Sequence, residues 1–246
     1  MKLKTLSAAS LLALGLVSVA GASQAANYAE IDGTNVQFLY DADFWGANTA
    51  TVTGNSISFD IGSDYALAAK VKATSLNGAS VQDYSDSAFP GLIAVAKNGY
   101  QLLGTVDTSL TADYSTSAKG GFVNASAYGY LHQGSFSNGA FNADPSKWSV
   151  YSVMDDGFSN GAATSGTLNT VTQAGAWDGL QAMSLEVTLG SHAEQSGPGL
   201  SSIAMTNVSY GFAVMAAPVP EPETCAMLLA GLGLVGVMAR RRKAKA

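Results

Sequence analysis

Between Ala26 and Ala217, apolar and polar positions alternate in short runs that stop at turn residues. Val36–Tyr40 and Ser56–Ile61 alternate over part of their length, as a strand with one buried face requires. Tyr65–Val71, Leu92–Ala96, Tyr100–Val106, Phe122–Leu131, Trp148–Met154, Ser184–Leu189 and Met205–Met215 read as further strands. Many of them are rich in β-branched and aromatic residues. Asn77-Gly78, Asn98-Gly99, Asn138-Gly139 and Asn160-Gly161 supply turn signals between them. No stretch of the body sustains a 3.6-residue period. The pattern predicts about eight to ten strands in an antiparallel β-sandwich or jelly roll, an all-β fold. The Ser/Gly/Ala/Thr-rich run Asn160–Gly175 is expected to be a long loop, with a linker as the alternative. No internal repeat and no second core interrupt the body, so residues 26–217 are expected to form one domain.

The two ends break this pattern. Lys2 and Lys4 precede the apolar run Leu11–Val17, and Ser23-Gln24-Ala25 then offers small residues to a signal peptidase. Residues 1–25 therefore read as a secretory signal peptide cleaved after Ala25. At the other end, Val219–Thr224 contains Pro220, Glu221 and Pro222, followed by an apolar stretch and the cluster Arg240, Arg241, Arg242 and Lys243. The prolines lack an N–H and stop regular structure before the segment. The stretch 225–239 then reads as a short transmembrane helix, with the cations of 240–245 held on the cytoplasmic side. About fifteen apolar residues fall short of the ~20 that a stable span needs, so the segment suits a temporary stop.

Charge narrows the function classes. The whole chain carries −6, yet the body holds five lysines, no arginine and 16 acids, which places it at −11. Such a surface repels phosphate backbones, so nucleic-acid binding is not expected. The single cysteine, Cys225, lies in the tail, leaving the body without a disulfide or a thiolate ligand.

Catalytic signatures are hard to find. His132 and His192 are the two histidines; neither belongs to an H-E-x-x-H pair, and both are expected in loops or at strand edges. Asp41 and Asp43 lie two apart, hence on one face of a strand, and Asp155-Asp156-Gly157 follows the Trp148 strand. A glycosidase needs two carboxylates spanning the scissile bond, and no pair stands out. These acids read as solvated surface groups, and calcium is the one cofactor that their oxygens leave room for. Trp45, Trp148 and Trp177 are expected to fill the core, though an exposed tryptophan would stack on sugars. Gly231-Leu232-Gly233-Leu234-Val235-Gly236 matches a dinucleotide fingerprint only by spelling, because no preceding strand or βαβ unit accompanies it.

The tail resembles the PEP-CTERM sorting signal in three parts: Pro220-Glu221-Pro222, the Leu/Gly-rich run Leu228–Leu234, and the arginine cluster. Cys225 departs from the aromatic residue common at that position. Lys97–Leu102 and Asp113-Tyr114 also look like stretches of other PEP-CTERM ectodomains, and no site follows from them. The resemblance implies processing by an exosortase in a Gram-negative bacterium that makes exopolysaccharide. It implies passage through the inner membrane to the outer membrane, cell surface or matrix. The expected function is a non-enzymatic surface or matrix module associated with exopolysaccharide and biofilm. A carbohydrate-active enzyme and a self-associating adhesin bearing the same tail are the alternatives.

Overall fold

The computed structural model describes residues 27–61, 67–74, 78–87, 90–159, 161–175, 177–218, 227–232 and 234–235. Strands dominate, and every strand pairing is antiparallel. One sheet holds β1 (Tyr28–Asp32), β2 (Val36–Asp41), β6 (Ala79–Asp86), β7 (Leu92–Ala96), β9 (Gly121–Ser137), β10 (Ala140–Phe158), β12 (Ala182–Leu185) and β13 (Thr188–Gln195). The other holds β3 (Ala50–Thr53), β4 (Ser56–Asp60), β5 (Ala68–Ala73), β8 (Tyr100–Thr116), β11 (Thr164–Gly175) and β14 (Gly199–Ala216). β9 is the axis of the first sheet, with β10 on one side and β12 and β13 end to end on the other. β14 plays the same part in the second, between β8 and the pair β4 and β5.

The apolar faces of both sheets meet in one core. Phe38 meets Phe212 at 5.6 Å, Tyr40 meets Phe59 at 5.5 Å, and Trp45 stacks on Phe59 at 3.8 Å. Trp45 reaches that position through α1 (Ala42–Trp45), a one-turn helix. Asp41 caps this helix by accepting the Asp43 N–H at 3.0 Å, and Gly46 ends it at φ 83°. Asp41 and Asp43 therefore share no strand face, contrary to the sequence expectation. The local hydrogen bond of an Asx residue wins over strand alternation here.

Three further expectations need correction. Residues 164–175 are strand β11, paired with β8 over its full length, not a loop. β11 lies at the edge of its sheet and buries only Leu168, so Ser, Thr and Gly suffice elsewhere in it. Ser184–Leu189 divides into β12 and β13 at Glu186-Val187. His132 and His192 lie on β9 and β13, each paired on both sides, rather than in loops or at edges.

The long strands run further than their apolar cores suggest. β8, β9, β10 and β14 each exceed sixteen residues. The β9–β10 hairpin is nested between β8 and β11, which pair with each other in the opposite sheet. Thr172 on β11 donates its hydroxyl to the Ser152 carbonyl on β10 at 2.9 Å, joining the sheets along that edge.

Candidate functional site

The register of the β9–β10 hairpin decides which side chains leave the core. Asn138 and Gly139 both adopt positive φ, 55° and 75°, the geometry of a type I′ turn. That turn places Ser137 opposite Ala140 and, beyond a bulge, Trp148 opposite His132. Since Tyr151 and Val153 are buried, strand alternation turns Trp148, Val150, Ser152, Met154, Asp156 and Phe158 outward. Their partners on β9 are His132, Tyr130, Tyr128, Ser126, Asn124 and Phe122. The outer face of the first sheet is thus unusually apolar for a solvated surface. Trp148 is 54% exposed, against 1% for Trp45. Trp177 is partly buried against the core. The expectation of a core tryptophan holds for Trp45 and fails for Trp148, whose outward position follows from the hairpin register.

A groove runs beside Tyr128 and Tyr130, walled by Val150 and Ser152 on one side and Glu186 and Thr188 on the other, with a volume of about 340 Å³. Gly129 makes it possible. A Cβ there would stand 2.0 Å from the Glu186 carbonyl oxygen, so only glycine lets the two strands meet this closely. The Glu186 backbone is then fixed twice. Its N–H donates to the Tyr130 carbonyl at 2.9 Å, and its carbonyl accepts the Tyr151 hydroxyl at 3.1 Å. Burial, followed by the neighbouring Tyr210, pushes the Tyr151 hydroxyl well above its ordinary pKa. Tyr151 is therefore a neutral donor under the groove.

Tyr130 contacts Trp148 edge-on, with ring centroids 5.7 Å apart at 69°. The two rings form one apolar platform on the sheet surface. Immediately before Trp148, residues 144–147 bulge out of β10. The Asp144 carboxylate accepts both the N–H and the hydroxyl of Ser146, at 3.0 and 2.7 Å. The Ser146 hydroxyl is the main reason that the Asp144 carboxyl is held below its ordinary range. Lys147 reaches the same carboxylate at 3.7 Å. Pro145 and this charged pair blunt the edge strand next to the platform.

Further along the same face, Phe122 meets His192 at 5.7 Å, and the His192 ring lies 2.9 Å from the Ser80 hydroxyl. Asn124 donates to the Asp156 carboxylate at 2.7 Å. The Asp155 carboxylate accepts the Asp156 N–H at 2.9 Å. Among the described residues no three His, Cys, Asp or Glu side chains gather as a metal set.

Ala25, Pro220, Glu221, Pro222, Cys225, Arg240, Arg241, Arg242 and Lys243 lie outside the described residues. Residues 227–232 and 234–235 are helical, with Met227, Leu228, Leu229, Leu232, Leu234 and Val235 exposed. No helix among the described residues is long and apolar enough to cross a membrane.

Sequence reasoning placed Phe122–Leu131 in a strand and weighed Trp148 as a sugar-stacking residue, but it missed Tyr128, Tyr130 and Glu186. The signal was the triplet Tyr128-Gly129-Tyr130, which sets two tyrosines on one face around a residue without a side chain.

The solved structures to which this chain bears a weak likeness include two of a virus. One is titled "Structure of infectious bursal disease virus Gx strain", at 12% identity and a TM-score of 0.18. The other is the Gt strain structure, at 11% identity and a TM-score of 0.14. Each alignment covers 63% of this chain and 42% of the viral one. At these TM-scores neither carries an argument. No match is found among curated proteins. The model of the PEP-CTERM protein-sorting motif matches residues 218–243, which span the Pro-Glu-Pro sequence, the apolar run and the arginine cluster. Residues 218–243 therefore carry a PEP-CTERM protein-sorting motif, the mark of an exported, surface-directed protein sorted by exosortase.

Proposed function

We propose that the β body is a non-catalytic binding module, presented at the cell surface or in the extracellular matrix, that holds exopolysaccharide on the outer face of its first sheet. The observation that carries this reading is the Tyr130–Trp148 platform beside the Tyr128 groove. Sugar rings offer a flat C–H face to aromatic rings and hydroxyls to polar rims, and Ser152, Thr188 and Glu186 supply the rim. Glu186 is the one carboxylate among the groove-lining residues. Glycoside hydrolysis uses two carboxylates facing each other across the bond, so a single acid favours binding over cleavage.

The ends fit this role. Signal peptidase removes residues 1–25, and the stretch 225–239 with its basic cluster pauses the chain in the inner membrane of a Gram-negative cell until exosortase acts. The full chain, purified in detergent, is expected to be retained by at least one polysaccharide of a panel and to release no reducing ends from any. Trp148→Ala and Tyr130→Ala should abolish retention while leaving the circular dichroism spectrum unchanged. Retention that is indifferent to both substitutions, or hydrolysis of any polymer, contradicts the reading.

One observation favours a second reading, a self-associating adhesin. β10 is a nineteen-residue edge strand bearing exposed Val150, Met154 and Phe158. In that case the purified chain oligomerises with a concentration dependence that Met154→Lys removes.

A further inference from the structure

Acidic side chains stand along the outer face of the first sheet. Outward positions of β6 and β13 follow from the register Thr188 opposite Asp86, Gly190 opposite Tyr84, and Glu194 opposite Ser80. Tyr84 lies across Gly190, where a Cβ would stand 2.8 Å from its ring, so it extends the aromatic surface past the groove. Together with Glu186 and with Asp156 on β10, this face carries four carboxylates: Asp86, Asp156, Glu186 and Glu194. Its outward positions on β6, β9, β13 and residues 148–158 hold no lysine or arginine. Lys147, next to the platform, is engaged by Asp144. Asp156 is occupied by Asn124, whereas the carboxylates of Asp86, Glu186 and Glu194 make no hydrogen bond or ion pair among the described residues.

Resting on the glycan-binding reading, we infer that this face takes a polysaccharide bearing free amino groups, a hexosamine polymer with unacetylated residues, in preference to neutral or uronate polymers. Two features of the groove favour a cation independently. An ammonium on the sugar ring donates a charge-assisted hydrogen bond to the Glu186 carboxylate at the rim. The faces of Tyr128, Tyr130 and Trp148 also attract a positive charge through their ring quadrupoles. A uronate chain meets the like charge of these four carboxylates on the same face.

The test measures retention of the full chain in detergent on three polymers: polyglucosamine freed of acetyl groups, the same polymer fully acetylated, and a polyuronate. The deacetylated polymer is expected to bind about tenfold more tightly than the acetylated one, the worth of one charge-assisted hydrogen bond. Glu186→Gln and rising salt should each collapse that difference, and the polyuronate should not be retained. Equal binding of the acetylated and deacetylated polymers, lost in Tyr130→Ala, overturns the amino-sugar preference and leaves the glycan reading intact. Stronger binding of the polyuronate does the same. Binding of the deacetylated polymer that survives both Tyr130→Ala and Trp148→Ala is bulk attraction of a polycation, and it too overturns the inference. Retention of none of the three overturns the inference, and failure across the wider polysaccharide panel overturns the glycan reading with it.

Discussion

The Tyr151 hydroxyl lies 3.3 Å from that of Tyr210, joining the two sheets directly beneath the groove. Tyr151 sits on β10 and Tyr210 on β14, and their rings meet edge-on at 5.9 Å. The same Tyr151 hydroxyl supports the Glu186 carbonyl above it. The core and the candidate site therefore share one hydrogen-bonded group.

Tyr151→Phe deletes that group without opening a cavity. It should lower stability by about 1 kcal/mol, the net worth of a neutral hydrogen bond, with a small further cost for the polar partner left buried. Chemical denaturation of both proteins measures the difference.

Alkali acts on Tyr28 in a definite direction. Burial, and then the nearby Asp41 carboxylate, pushes its hydroxyl from 10.0 up to about 12, and it donates to the Pro90 carbonyl at 2.7 Å. Between about pH 10 and 12 the native protein keeps this proton after the unfolded chain has lost it. Its contribution is thus complete below the unfolded pKa and declines as pH rises through the folded one. Melting temperature measured across that range should fall less steeply for Tyr28→Phe than for the parent.

Gly129→Ala forces a Cβ against the Glu186 backbone. The strands must separate, at a cost of about 1–3 kcal/mol, and the groove should change shape. A lower denaturation midpoint, with weakened glycan retention at temperatures where the variant stays folded, is the expected outcome.

Pro220→Ala combined with Pro222→Ala removes the two breaks before the apolar run. Mature protein should then accumulate in the inner-membrane fraction rather than at the surface, as it should in cells lacking exosortase. Fractionation and immunoblotting distinguish these fates.

How much of this was legible in the sequence depended on how local each determinant is. The Asn138-Gly139 turn was legible because positive φ at two successive residues is a local demand. Leu92–Ala96 matched β7 because an unbroken apolar run bounded by turn residues has few other readings. β11 was missed because an edge strand needs little apolar surface, and only Leu168 of it is buried. The Asp41–Asp43 pair was misread because a side-chain cap bends the chain within one residue of a strand end. Trp148 posed the hardest case. Alternation shows that Trp148 and Val150 share a face, but not which face meets the core. That depends on packing against β14, whose Tyr210, 59 positions from Tyr151 in sequence, fills the space behind it.

Acrylamide quenching of tryptophan fluorescence, with and without polysaccharide, probes the proposed face most directly. Trp148 is open to solvent, Trp177 is partly buried and Trp45 is enclosed, so most of the quenchable signal belongs to Trp148 and should drop sharply in Trp148→Phe. Added glycan should shield that component in the parent protein. A polysaccharide that binds yet leaves Trp148 fully quenchable would place its site elsewhere on the molecule.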